Sequence, residues 1–260
     1  MKTFLSYAMS DDVENFPTEQ ISNFPPLRIV YCLIHFISYV ILLNTDSCLS
    51  SAYSINSFYF YTFTLTLGFA CANFAISDLE SNNKNESEDD YCQICKKHVP
   101  MRTTHCSICN KCVTVKDHHS QWFGKCVGGH NYIEYISFVL MEFVLLVMMT
   151  ADCIISLLRP SSLIIFLTGK LLLLVILILA LLGLYIILIR IKSIHVTLST
   201  GFSQYERKNR NTIPYMMNIK NDEEPFNLGY LGNFNYIVSS NKPDLKRNNE
   251  VPSINENEDK

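Results

Sequence analysis

Residues Leu163–Ile189 form an apolar run of 27 residues with a single charge, Lys170. No polar stripe recurs at helical spacing, so the run does not read as a surface helix with one face on a soluble core. A bilayer core about 30 Å thick takes roughly 20 helical residues at about 1.5 Å each. Three further runs, Leu27–Leu43, Phe58–Ile76 and Tyr135–Leu158, meet or approach that length. The expected fold class is an all-α polytopic membrane protein, with four transmembrane helices in the lipid bilayer.

Orientation follows from where Lys and Arg lie, because cytosolic connections carry the excess. Residues 44–57 have none and residues 159–162 have only Arg159, whereas 77–134 have seven and 191–260 have nine. The expected order is a cytosolic N-terminus (1–26), two spans (27–76), a cytosolic segment (77–134), two spans (135–190) and a cytosolic tail (191–260). Asp11, Asp12, Glu14 and Glu19 precede the first apolar run, unlike a signal peptide. The tail from Lys242 onward is polar and is expected to be disordered near its end. With 21 basic and 24 acidic residues, the chain has no bulk charge for nucleic acid.

Six of the ten cysteines fall between Cys92 and Cys126. Disulfides are disfavoured in the reducing cytosol, so metal ligation is the better reading. Cys92, Cys95, His105 and Cys112 form one set, and Cys106, Cys109, His119 and Cys126 repeat it fourteen residues later. Cys3His is a standard closed tetrahedral set for structural zinc. Two zinc ions would use all eight ligands, and because Cys106 and Cys109 precede Cys112 the two sites must interleave. Metal binding would supply most of the folding energy of so small a module. Asp117 and His118 have no counterparts in the repeat, which places Thr103 and Thr104 at the matching positions. An Asp beside a His can fix the ring tautomer and raise its basicity, and Ser120 lies two residues on.

The run Cys92-x2-Cys95-x9-His105-Cys106-x2-Cys109-x2-Cys112-x4-Asp117-His118-His119-Ser120-x5-Cys126 resembles the cysteine-rich domain of the DHHC protein S-acyltransferases. Trp122, Val127-Gly128 and Asn131-Tyr132 extend the resemblance. So do Glu206 in Ser203-Gln204-Tyr205-Glu206, at the family's Thr-Thr-x-Glu segment, and Asn233 in the stretch 223–234. The resemblance implies four spans with the zinc module between the second and third, in a Golgi or endoplasmic reticulum membrane. It implies fatty acyl-CoA (palmitoyl-CoA) as donor and membrane-associated proteins as substrates or clients. In the family, the cysteine of Asp-His-His-Cys takes the acyl chain and passes it to a substrate cysteine. Asp117 would then orient the base His118, and His119 would bind zinc.

This chain departs from the pattern at the nucleophile, where Ser120 replaces Cys and Gln121 replaces the usual Pro. A hydroxyl is far less acidic than a thiol and needs base assistance in the transition state. An acyl-serine is also an oxoester, which a thiol attacks less favourably than a thioester. Impaired or lost S-acyl transfer is therefore expected, with a non-catalytic scaffold or regulator that binds acyl-CoA or client proteins as the alternative.

Glu142, Asp152 and Lys170 lie inside the apolar runs, where ionisable groups are costly unless paired or functional. Counted from the luminal ends, Asp152 and Lys170 lie at similar depths, so an Asp152–Lys170 ion pair is expected. The alternative is that Lys170 runs its chain to the luminal surface. Glu142, in the cytosolic third of its run, would border the acyl cavity. Asn85-Glu86-Ser87 is a glycosylation sequon, but this topology keeps it from the lumen. Endoglycosidase treatment of the membrane-expressed protein should leave its mobility unchanged; a shift abolished by Asn85→Gln would overturn the topology.

Overall fold

The computed structural model describes residues 27–45, 47–51, 58–76, 90–160, 162–165, 169–217 and 223–239. Expectations for residues 1–26, for the Asn85 sequon and for the tail from Lys242 lie outside them. The helices are α1 (Leu27–Asn44), α2 (Cys48–Ser51), α3 (Phe58–Ile76), α4 (Tyr132–Leu158), α5 (Leu163–Ile165), α6 (Leu171–Thr200), α7 (Gln204–Lys208), α8 (Pro214–Met217) and α9 (Tyr230–Ser239). Six strands lie between α3 and α4: β1 (Asp90–Cys92), β2 (Lys97–Val99), β3 (Thr103–Cys106), β4 (Lys111–Thr114), β5 (His118–Ser120) and β6 (Lys125–Val127). The chain divides into two compact units. One comprises Met1–Leu79, Ser120–Lys125 and Ile133–Lys192; the other comprises Glu80–His119, Cys126–Tyr132 and Ser193–Lys260.

Helices α4 with 27 residues and α6 with 30, most of each in the first unit, are long and apolar enough to cross a membrane. The 18 residues of α1 and 19 of α3 are apolar but close to the minimum for a span. Leu171, Leu174, Val175 and Ile178 of α6 stand exposed, an outer surface suited to lipid. Inside, polar groups find partners. The Asp152 carboxylate accepts from the Leu49 amide at 3.3 Å and from the Ser156 hydroxyl at 3.1 Å. Glu142 is buried against Tyr31 and His35.

The expected Asp152–Lys170 ion pair is not formed. The Lys170 ammonium instead donates to the carbonyl of Leu157 at 3.0 Å and to that of Arg159. These carbonyls lie at and just beyond the C-terminal end of α4, where no further turn supplies amide donors and the helix dipole favours a cation. A helix end competes for an ammonium as well as a carboxylate does.

The cysteine-rich segment is built from β-hairpins, which an all-α class did not anticipate. β1 pairs antiparallel with β2, with Cys92 opposite Lys97, and β3 with β4, with His105 opposite Cys112. β5 and β6 form a third two-stranded sheet. Successive turns match closely. The Cys95 amide donates to Cys92 Sγ at 3.4 Å, the Cys109 amide to Cys106 Sγ at 3.5 Å and the Phe123 amide to Ser120 Oγ at 3.4 Å. Lys96, Asn110 and Gly124 take the left-handed conformation one residue after each donor, at φ 52°, 51° and 66°. The fourteen-residue repeat thus runs through three hairpins, and Ser120 stands where the first two carry Cys92 and Cys106.

Gly201 ends α6 at φ 76°, a left-handed C-terminal cap that favours glycine. A Cβ there would lie 2.4 Å from the Phe226 carbonyl oxygen, so backbone would have to move. Gly201→Ala is expected to destabilise the second unit by about 1–3 kcal/mol through the φ penalty alone, with the clash adding to it. Thermal unfolding of the detergent-solubilised protein reads this out, and an unchanged midpoint would refute it.

Candidate functional site

Each predicted ligand set converges on a point. In the first, the His105 Nδ1 lies 3.8 Å from Cys92 Sγ, 3.3 Å from Cys95 Sγ and 3.9 Å from Cys112 Sγ. In the second, the His119 Nδ1 lies 3.7 Å from Cys106 Sγ, 3.2 Å from Cys109 Sγ and 3.7 Å from Cys126 Sγ. In both, all four ligand atoms lie within 4.8 Å of one another. With metal–sulfur bonds of about 2.3 Å and metal–nitrogen bonds of about 2.0 Å, a tetrahedron has edges of roughly 3.5–3.8 Å. The observed separations straddle those edges, so each cluster could hold a metal ion, and its donor chemistry is that of zinc. The knuckle amides on Cys92 and Cys106 are the outer hydrogen bonds expected around metal-bound thiolates.

The aspartate–histidine pair, Asp117-His118, immediately precedes His119 of the second cluster. His118 Nδ1 is 3.0 Å from Asp117 Oδ2, and both side chains are buried. The backbone amide of Gln204, the first residue of α7, donates to Asp117 Oδ1 at 2.8 Å. Burial alone would raise the Asp117 pKa. The hydrogen bonds from His118 and from the Gln204 amide and the charge of Arg207 outweigh it, holding the carboxyl below the usual carboxylate range. An ionised Asp117 fixes His118 with its proton on Nδ1, which leaves Nε2 as the basic nitrogen.

Gln204 is held in turn by Glu206. Ser203 and Glu206 form a capping box at the start of α7: the Ser203 amide donates to Glu206 Oε2 at 2.7 Å and the Glu206 amide to Ser203 Oγ at 3.2 Å. Arg102 grips the same carboxylate with both prongs, Nε to Oε1 at 2.7 Å and Nη2 to Oε2 at 2.6 Å, and Tyr215 adds its hydroxyl at 3.0 Å. Arg102 also donates to the Gly201 carbonyl at 2.7 Å, and its guanidinium lies 4.4 Å from the centre of the Phe226 ring. Burial disfavours both charges. The Coulomb attraction and hydrogen bonds of Arg102 nonetheless keep Glu206 below its ordinary pKa, and Glu206 keeps Arg102 above its own.

Asn131 and Asn233, singled out by resemblance, prove to be backbone braces. Asn131 accepts from the Gly128 amide and donates to the Cys126 carbonyl, both at 3.1 Å. Asn233 donates to the Leu198 carbonyl near the end of α6 at 2.9 Å and accepts from the Leu228 amide at 2.7 Å. Arg102 and Arg207 escaped the sequence reading. Nothing in one sequence marks Arg102 among the module's basic residues. Ser203-x-x-Glu206, however, is a legible capping-box pattern, and its buried Glu would have called for a cation.

Residues 85–211 match the family model of the DHHC palmitoyltransferases. The chain carries a DHHC palmitoyltransferase domain. No curated protein matches the chain at a significant level. The matched stretch covers both ligand clusters, Asp117-His118-His119-Ser120 and the Glu206 capping box, and it ends before Asn233.

Because Arg102 and Glu206 are buried together, removing one partner strands the other. Arg102→Ala is expected to cost about 3–5 kcal/mol and Arg102→Met less, since Met refills part of the volume. Glu206 has a lowered folded-state pKa, so its contribution is full above the ordinary carboxylate range near pH ~4 and fades as pH falls through the folded value. Denaturant unfolding at pH 7 checks the first point. An acid titration in which Glu206→Gln matches the parent's loss of stability would refute the second.

Proposed function

We propose that the protein is a four-span endomembrane member of this family that binds long-chain acyl-CoA beside a cytosolic two-zinc module. Its transfer of acyl chains to protein thiols is impaired by Ser120. The observation that carries this reading is the setting of Asp117: buried, with one carboxylate oxygen held by the Gln204 amide and the other beside His118 Nδ1. A purely structural module has no need of a buried carboxylate that fixes a histidine tautomer. The lengths of α4 and α6 and the apolar character of α1 and α3 support four spans. The ligand clusters support two structural zinc ions bound by Cys92, Cys95, His105, Cys112 and by Cys106, Cys109, His119, Cys126.

In this reading His118 is the general base, Asp117 its orienter and Ser120 the acyl-accepting position. His118 and Ser120 are alternate residues of β5, and alternate strand residues share a face. A serine there limits both half-reactions, because its hydroxyl is hard to deprotonate and its ester is a poor donor to a thiol. The replacement of Cys by Ser also favours a second reading: a non-catalytic scaffold that keeps the acyl-CoA and client surfaces.

Labelled palmitoyl-CoA separates the two. The purified protein should acquire a slow adduct that resists neutral hydroxylamine, as an oxoester does, and is abolished by Ser120→Ala. Ser120→Cys should label faster, with release by hydroxylamine. Label on Ser120→Cys alone establishes the scaffold reading, and label on neither removes acyl transfer from this protein.

A further inference from the structure

One cluster of ionisable groups lies within the helices and outside the chemistry described so far. On α1, the Tyr31 hydroxyl donates to Glu142 Oε2 of α4 at 2.8 Å, and His35 Nε2 lies 2.9 Å from Glu142 Oε1. His35 Nδ1 lies 3.1 Å from the Tyr31 carbonyl. A carbonyl can only accept, so Nδ1 carries a proton. One further proton must then sit between Nε2 and Oε1, making the pair either imidazolium and carboxylate or imidazole and carboxylic acid. In both forms its net charge is zero. Tyr31 is 7% exposed and Glu142 4%, so the cluster is shielded from its surroundings. Among the described residues, Cys32 and Cys71 are further ionisable groups near Tyr31.

The cluster connects to the Ser120 turn through aromatic rings of the same unit. The Tyr31 ring packs edge-on against Phe138 of α4, with centroids 5.9 Å apart. Phe138 meets Phe123 edge-on at 5.1 Å, and Tyr135 meets it from one turn earlier at 6.1 Å. Phe123 is the residue whose amide donates to Ser120 Oγ. Buried polar groups between apolar helices are costly unless matched, so three mutually satisfied side chains define one register of α1 on α4.

We propose that Glu142 is a positioning residue for the Ser120 turn: with Tyr31 and His35 it clamps α1 to α4 and thereby fixes Phe138, the ring on which Phe123 rests. This deepens the acyl-transfer reading and rests on it for its functional consequence. A shift of the clamp would move Phe123 and, with it, the atom at position 120. Displacements on the order of 1 Å can lower reaction rates by about a hundredfold.

The test uses full-length Ser120→Cys in detergent, with two readouts: labelling by palmitoyl-CoA, and alkylation of the introduced thiol without acyl-CoA. Alkylation is followed by mass spectrometry on the peptide carrying position 120. Adding Glu142→Leu, which abolishes the clamp, should slow labelling by about tenfold or more at unchanged zinc content. Adding Glu142→Gln should restore labelling to within about threefold of the parent. Its carboxamide oxygen can accept from Tyr31 while its amide donates to a neutral His35. Labelling of the Leu form at the parent rate overturns the proposal, and so does equal loss in the Leu and Gln forms. If the Leu form loses zinc or cannot be purified, Tyr31→Phe replaces it. That change removes one O–H and should slow labelling severalfold; no change overturns the proposal. If no form takes label, the acyl-transfer reading fails and alkylation alone decides the clamp: rates altered by Leu and restored by Gln support it, and equal rates in all forms overturn it.

Discussion

Strands of three or four residues do not hold a fold by their own ladders, and among the described residues the cysteine-rich segment has six such strands. Its order depends on cross-links from side chains. Two are the Cys3His clusters, each drawing ligands from more than one hairpin: Cys92 and Cys95 flank the first turn, while His105 and Cys112 face each other on β3 and β4. The third is the Arg102–Glu206 pair, which ties the start of the second hairpin to the capping box of α7. Asp117 is reached from both kinds of cross-link. It precedes His119 of the second cluster by two residues and takes the amide of Gln204, whose helix Glu206 anchors. The electrostatics of the candidate site follow from where these cross-links leave that carboxylate.

A common device recurs at the helix ends. Lys170 satisfies carbonyls at the end of α4, while Asn233 and Arg102 satisfy the Leu198 and Gly201 carbonyls at the end of α6. A helix leaves its last carbonyls without amide partners, and where water is scarce a side chain must supply the donor. This explains why single polar residues in unpromising places, a lysine in an apolar run and an asparagine in a short helix, are so fully engaged. It also explains the failure of the expected Asp152–Lys170 pair, since charge matching by depth ignores the backbone as an acceptor.

What could be read from the sequence was whatever has a period or a fixed spacing. Long apolar runs announce α4 and α6, and the fourteen-residue offset picks out eight ligands that the fold brings together in two groups of four. Contacts between residues far apart in the chain carry no such signature. Arg102 and Glu206 are separated by 104 positions, and Tyr31 and Glu142 by 111. Neither partner's local sequence specifies the other. Short hairpins are equally hard to read, because their turns close on cysteine sulfurs and on left-handed residues such as Lys96 that lack glycine's usual mark. The repeat itself could have been followed further: adding fourteen to Cys106 gives Ser120, but a search for cysteine and histidine stops one hairpin early.

That third hairpin bears on how a serine can occupy position 120 without disturbing the fold. In the first two turns the side-chain atom receiving the backbone amide is the sulfur of a Cys3His cluster, and in the third it is the Ser120 oxygen at 3.4 Å. The second cysteine of the knuckle is replaced by Phe123, which turns from metal binding to packing on Phe138. A hydroxyl accepts an amide hydrogen bond at least as well as a thiol does, so the turn closes with either residue. No metal geometry at this corner demands sulfur. Exchange of Cys for Ser therefore changes the reactivity of the atom that Phe123 holds while leaving the hairpin's own hydrogen bonding intact. Architecture and chemistry are separable at this one position of the repeat, whereas at Cys92 and Cys106 the same exchange would remove a soft ligand from a four-atom cluster and loosen the module itself.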